Sequence, residues 1–325
     1  MSKERHTLAV IYVVIPLILL TAFLPVMVYV QQHEMAMQMQ QDVLLYPKAI
    51  QHSMGLMTPV SSSDAVHKDY EAVKAVLDQI PDACISDKLA EGAAATIAKF
   101  QSFLSSTVRL HVAAHGNWSA GESSVQLYDG QLKRSEVVKW SFQGFSCRLV
   151  VLSACNSMGH DGVQDNNLPT AIMSKSGVQQ VIGYKDIVDA GGAALFASLF
   201  WMAHLWQNGE DGGIQSDEAY SLARDGIHQV ICDQALAALW QSFVIGVIVG
   251  AISALLSVIF GPAGTYLGII LTAIVQLYTN VSWQTFVNAM NSAYYNVVRC
   301  GQSVDGLTYW SSGGGGGGGG EPLPF

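Results

Sequence analysis

The sequence contains few charged residues. Lys, Arg, Asp and Glu make up 13% of its 325 residues, against about a quarter in an average soluble domain. The 16 Lys and Arg residues form no basic patch or arginine-rich stretch, so we exclude nucleic-acid-binding proteins. Because 50% of the residues are hydrophobic, the deficit of charge favours membrane segments over a merely large core.

The sequence also lacks the common motifs of metal, nucleotide and serine-hydrolase sites. It has no CxxC pair, no zinc-ligand spacing, no P-loop and no GxSxG elbow. We therefore expect no metal and no other cofactor. The odd number of cysteines fits either one free thiol with up to two disulfides or five reduced thiols. The five are Cys84, Cys147, Cys155, Cys232 and Cys300.

An apolar run near the N-terminus predicts a transmembrane anchor. Residues 8–30 form 23 consecutive positions without a charge, and a bilayer-spanning helix needs about 20. A cleaved signal peptide is the alternative, but its apolar region is normally about 7 to 15 residues long and ends in a small-residue cleavage site. We expect an anchor over residues 1–31. Lys3 and Arg5 precede it, which predicts a cytoplasmic N-terminus and a following domain outside the cytoplasm.

The middle of the chain reads as one α/β domain. A polar stalk is expected over residues 32–68, and the domain over 69–239. Strand patterns at 108–114, 148–153 and 179–183 alternate with helical patterns at 168–176 and 190–208. Alternating strands and helices of this kind indicate a parallel sheet.

A second apolar region follows the predicted domain. Residues 243–281 carry no charge, and Gly261 and Pro262 interrupt them near the middle. We expect a two-helix membrane hairpin over 240–282, with a buried hairpin inside a soluble domain as the alternative. Gly246, Gly250 and Ala254 recur every four residues, a spacing that permits close helix contact and self-association. An amphipathic segment and a flexible glycine-rich tail are expected over 283–325.

Two residues with catalytic potential follow predicted strands directly. His115 ends the strand in HVAAHGNW (111–118), and Cys155 follows the strand in LVVLSACNSMG (149–159). Sites in parallel sheets form at the carboxyl ends of the strands. A thiol must lose its proton to attack a carbonyl, and a nearby imidazole assists this step. Each residue alone reads as structural, but their order and placement together favour a catalytic Cys–His pair.

These motifs resemble those of the caspase-like (clan CD) cysteine peptidases, and most closely those of the CHAT group. The resemblance covers about residues 105–230 and continues through SKSGVQQVIGY and SDEAYSLARDG. It implies a caspase-like parallel-sheet sandwich with helices on both faces and an endopeptidase that cleaves proteins or peptides. Cys155 would be the nucleophile, His115 the general acid, and the backbone N–H groups of Gly116 and Cys155 the oxyanion hole. The family requires no third catalytic residue.

The same resemblance indicates where the substrate pocket would lie. In caspase-like folds the loop after the third of these strands shapes the pocket, and here it holds Lys185, Asp186 and Asp189. Asp186 would favour a basic residue before the cut, as in several relatives, and Lys185 an acidic one. Ser153 stands where metacaspases carry Asp, which weakens a metacaspase-like basic preference.

Two other functions remain open from the sequence. The caspase-like domain could be a catalytically silent binding or sensing module on a membrane anchor. Alternatively, the C-terminal hairpin could act as a membrane-disrupting effector.

Overall fold

A computed structural model describes residues 52–80, 85–141, 146–159, 167–206, 213–240, 245–260, 268, 271–272, 274–278 and 281–306. The predicted anchor over 1–31, the first part of the stalk and the glycine-rich tail lie outside these residues.

A six-stranded sheet with the order β2-β1-β3-β7-β8-β9 forms the centre of the domain. Its neighbours pair in parallel except β8 and β9, which pair antiparallel. A small antiparallel sheet of β4, β5 and β6 follows β3 in the chain. The strands are β1 His52–Thr58, β2 Ile85–Glu91, β3 Arg109–Ala113, β4 Gly116–Ser119, β5 Glu122–Leu127, β6 Gly130–Lys133, β7 Leu149–Ser153, β8 Gln180–Tyr184 and β9 Val297–Gly301.

The helices flank this sheet. They are α1 His67–Leu77, α2 Ile97–Ser106, α3 Arg134–Val137, α4 Leu168–Ser176, α5 Ala190–Trp206, α6 Ser216–Cys232, α7 Gln234–Trp240, α8 Ile245–Phe260 and α9 Trp283–Asn296. A 3₁₀ turn, Gly92–Ala94, precedes α2.

Both faces of the large sheet are buried, which explains why β7, with the sequence LVVLS, is a nearly continuous apolar run. In β7, Leu149 and Val151 join a core with α1, α5 and α6, whereas Val150 and Leu152 join a separate core with α2 and α4. Side chains alternate in this way because successive residues of a strand point to opposite faces. The α/β class, the parallel sheet and the helices on both faces are therefore confirmed.

The predicted stalk over 32–68 is wrong for its last part. His52–Thr58 forms β1, an interior strand of the sheet, and Met54 and Leu56 are fully buried in it. The strand lacks β-branched residues before its last position and contains Gly55, so its propensity is weak. Glycine is needed there because an added Cβ would lie 2.9 Å from side-chain atoms of Phe103 and Leu110.

The described parts of the two predicted C-terminal units, 240–282 and 283–325, pack with the domain, which corrects their separation from it. α7 crosses the expected boundary between 239 and 240. In α8, Ile252 and Leu256 are buried in the same core as the sheet. β9, which falls in the predicted amphipathic segment, completes the sheet by pairing with β8. Gly246 and Ala254 of α8 are exposed, and self-association through them stays a prediction.

No helix within the described ranges combines the length and hydrophobicity of a membrane span.

Candidate active site

Four neighbouring strands deliver the residues of the candidate site to one edge of the sheet. β1, β3, β7 and β8 are parallel neighbours, so their carboxyl ends lie side by side. Asp64 follows β1, His115 follows β3, Cys155 follows β7 and Val188 follows β8. The structure thus brings the two predicted catalytic residues together at the expected edge.

Cys155 lies in a tight turn directly after β7. The next residue, Asn156, adopts a left-handed conformation with φ of 54°, which asparagine tolerates better than most residues. The Cys155 Sγ is half-buried and lies 3.4 Å from the backbone N of Val188, whose N–H donates to it. It also lies 3.6 Å from the Val188 carbonyl oxygen, to which a thiol donates. A donor of this kind stabilises the thiolate, the attacking form of cysteine.

His115 is an exposed residue with a carboxylate partner. Its Nε2 lies 2.8 Å from Asp64 Oδ2, and its side chain is 58% exposed. Partial burial opposes ionisation of Asp64, but the Val66 N–H and His115 outweigh it and hold the pKa of Asp64 below its usual value. An ionised Asp64 can only accept a hydrogen bond, so Nε2 of His115 is the donor and Nδ1 is the ring nitrogen that faces away from Asp64.

Gly116 is pressed against the backbone of Cys155. A Cβ added at Gly116 would lie 2.0 Å from the Cys155 carbonyl oxygen, closer than atoms can approach. The Gln126 N–H donates to the His115 carbonyl, so His115 and Gln126 form a hydrogen-bonded pair of the antiparallel ladder. Hydrogen-bonded and non-hydrogen-bonded pairs alternate along such a ladder, so the next pair, Gly116 and Val125, is not hydrogen-bonded. The Gly116 N–H therefore points away from β5, as an oxyanion donor requires.

The four predicted pocket residues have different surroundings. Ser153 is 3% exposed, and its hydroxyl has no hydrogen-bond partner among the described residues. It lies near the Tyr184 hydroxyl, whose pKa is raised mainly by burial and also by the charge of Asp69. Lys185 is half-buried, while Asp186 is exposed and accepts the N–H of Ile187 at 2.7 Å.

Asp189 has a structural role at the start of α5. Its Oδ1 accepts the N–H groups of Gly191 and Gly192, at 2.9 and 3.4 Å, and so caps the start of α5. The same oxygen accepts a hydrogen bond from the Tyr278 hydroxyl. All three donors bind Oδ1 while the side chain is exposed, so a role of Asp189 in the substrate pocket stays a prediction.

Sequence reasoning missed Asp64 and Val188. Asp64 falls in the predicted stalk, because the sequence of β1 has a weak strand pattern. An aspartate two to three residues before a helix is nevertheless a signal of helix initiation. The Asp64 Oδ1 accepts the Val66 N–H at 2.9 Å just before α1. Val188 contributes only its backbone, and no side-chain pattern identifies a backbone donor.

The CHAT domain family model matches residues 30–251, more than half of the chain and all of this edge of the sheet. The chain belongs to the CHAT family. The CHAT match confirms the resemblance to caspase-like peptidases, and it covers the whole of the predicted stalk, in agreement with the position of β1 in the domain. No curated protein sequence matches the chain.

The Gly116→Ala substitution tests the close approach of the turns that hold His115 and Cys155. Because the Cβ would meet backbone rather than a flexible side chain, we expect a loss of at least about 2 kcal/mol of unfolding free energy. This corresponds to a fall of about 4–8 °C in the thermal unfolding midpoint. Gly246→Ala is the control, since a Cβ there meets nothing within 4 Å. Equal midpoints for the two variants would contradict the packing described.

Proposed function

We propose that this CHAT protein is a cysteine endopeptidase that cleaves proteins through Cys155 and His115. The observation that carries the proposal is the contact of Gly116 with the Cys155 backbone. It fixes the His115 turn and the Cys155 turn against each other at adjacent strand ends. A second Cys–His pair, Cys232 and His228 on α6, has no such glycine and lies within a helix.

In the first step, the Cys155 thiolate attacks the carbonyl carbon of the scissile peptide bond. The carbonyl oxygen gains the negative charge, and the N–H groups of Gly116 and Cys155 stabilise it. The carbon–nitrogen bond then breaks, and His115, protonated on Nδ1, gives its proton to the leaving amine. A thioester between Cys155 and the acyl part of the substrate remains.

In the second step, water hydrolyses the thioester. His115, now neutral, accepts a proton from the attacking water through Nδ1, and Cys155 leaves as the thiolate. Asp64 supports both steps, because its negative charge keeps the other proton on Nε2 and holds the ring in one orientation. Asp64 is a positioning residue, since it acts through His115.

The residue before the cut is expected to be basic, with Asp186 as its partner. The Asp186 side chain is exposed. Asp186 lies two residues before Val188, whose N–H contacts the Cys155 sulfur. An acidic preference would instead indicate Lys185. Cleavage of a mixed peptide library distinguishes these alternatives, because the residue before the cut is read directly.

The same library tests the function itself. For the full chain under reducing conditions, we expect Cys155→Ala or His115→Ala to lower cleavage by at least about 100-fold. The matched controls are Cys232→Ala and His228→Ala, which remove a thiol and an imidazole 3.6 Å apart on α6 and should retain activity. If the folded chain neither cleaves peptides nor reacts at Cys155 with a thiol probe, the silent binding module is favoured. Leakage of lipid vesicles caused by Cys155→Ala would favour the membrane-disrupting effector.

Replacement of Asp64 tests the positioning role. Asp64→Asn keeps the shape of the side chain but removes the charge that orients His115. We expect kcat to fall about 10–100-fold with little change in KM, because the ring is misplaced and substrate contacts are kept. Asp78→Asn is the control, since Asp78 is an exposed residue just after α1 that pairs with Lys74. An unchanged kcat would show that His115 is oriented by another group.

The peptidase is proposed to be held at a membrane by residues 8–30, with its domain outside the cytoplasm. This run is longer than the apolar region of a signal peptide and follows Lys3 and Arg5. In alkaline carbonate extraction, the full chain should stay with the membranes and a chain lacking residues 1–31 should be released. Release of the full chain would contradict the anchor. Retention of both would assign membrane binding to a later segment.

A further inference from the structure

The loop 185–189 is the structural support of the Cys155 turn. Its Asp186 carbonyl accepts the Asn156 N–H at 3.2 Å, and the Tyr184 carbonyl just before it accepts the Met158 N–H at 3.1 Å. Its Val188 N–H donates to the Cys155 sulfur at 3.4 Å. The position of the nucleophile and the donor that stabilises its thiolate therefore depend on this one loop.

The C-terminal helix α9 holds this loop at three successive points. The Asn296 carbonyl accepts the Lys185 N–H at 2.9 Å, and the Asn296 side-chain amide donates to the Ile187 carbonyl at 2.9 Å. The Ser292 hydroxyl accepts the Asp189 N–H at 2.8 Å. The Ser292 hydroxyl donates a hydrogen bond to the Ala289 carbonyl oxygen at 2.6 Å. The lone pairs of the hydroxyl oxygen are therefore available to accept from the loop.

The far end of the loop has a further anchor in the apolar segment before α9. The Tyr278 hydroxyl donates to Asp189, and the Tyr278 ring occupies the space that a side chain at Gly191 would need. At the near end, β9 begins directly after Asn296 and pairs Val297 with Tyr184. Both ends of the loop are therefore fixed by residues between 278 and 297.

We infer that Ser292 and Asn296 are positioning residues of the active site, acting through the loop 185–189 on Cys155. The inference rests on the proposed peptidase function. Both residues lie beyond position 251, where the CHAT match ends. The catalytic unit of this protein thus includes a C-terminal segment that the family match does not cover.

The physical consequence follows from the hydrogen bonds. Without the Asn296 amide or the Ser292 hydroxyl, the loop loses a partner on the side opposite Cys155, and the Val188 N–H no longer has one fixed position. The thiolate then has a less well-placed donor, so it forms less readily and attacks more slowly. Substrate contacts elsewhere are unaffected, so the effect falls on kcat.

The test uses shape-conserving variants of the full chain. Ser292→Val removes the acceptor, whereas Ser292→Thr has the same shape as valine and keeps a hydroxyl. Asn296→Asp removes the amide donor without changing size. We expect Ser292→Val and Asn296→Asp to lower kcat about tenfold with KM nearly unchanged, and Ser292→Thr to retain most of the activity. Asn288→Asp, an exposed position on the same helix, is the matched control.

A second measurement does not depend on peptide cleavage. The rate of iodoacetamide labelling of Cys155 is measured in a chain that also carries Cys84→Ser and Cys232→Ser. The remaining thiols react slowly, because burial raises the pKa of Cys147 to about 12 and that of Cys300 to about 11. Labelling should fall about tenfold in Ser292→Val and Asn296→Asp, at an unchanged thermal unfolding midpoint.

The outcomes separate the two proposals. Slower labelling in a chain that cleaves no peptide would support the positioning role and contradict the peptidase. Normal kcat and normal labelling in Ser292→Val and Asn296→Asp would overturn the inference while the peptidase stands. A fall in kcat that Ser292→Thr shares with Ser292→Val would also overturn it, because the hydroxyl would then not be the cause.

Discussion

The candidate active edge of this protein depends on one steric constraint, the contact between Gly116 and the backbone of Cys155. Only a residue without a Cβ permits it, since a Cβ would lie 2.0 Å from the Cys155 carbonyl oxygen. The contact sets the distance between the turns after β3 and β7. The histidine, the thiol and the inward N–H of Gly116 are positioned relative to one another as a result.

Two histidines of the same segment differ in their surroundings, because one lies within β3 and the other lies beyond its end. His111, within β3, is fully buried; Trp201 donates to its Nδ1 at 3.2 Å, and its Nε2 lies 3.2 Å from Asp69. Because the indole can only donate, Nδ1 of His111 is the acceptor of this hydrogen bond. His115 lies beyond the strand end, where its ring is exposed. The same residue type is enclosed by the core in one place and accessible to a substrate in the other.

The sequence allowed β3, β7, β8, the helices after them and the placement of His115 and Cys155 at strand ends to be predicted, because these strands are largely apolar and end at distinctive residues. β1 was not predictable in this way, since HSMGLMT has neither a strong alternation nor β-branched residues before its end. Asp64 follows β1, so it was not predicted as a site residue either. The role of β9 depends on pairing with a strand more than a hundred residues earlier, and local patterns carry no information about such partners.

The apolar segment after residue 240 shows that hydrophobicity alone does not distinguish a membrane helix from a helix in a protein core. A charge-free helix is compatible with lipid or with a protein core, and its sequence alone favours lipid. In α8 the face with Ile252 and Leu256 packs into the domain core, and Tyr278 beyond it bonds to the loop that supports Cys155. Hydrophobicity therefore predicted that the segment is buried but not what buries it. Since the same segment leads into α9 and β9, a domain that ended at residue 239 would lack both the last strand of its sheet and the contacts that hold the loop 185–189.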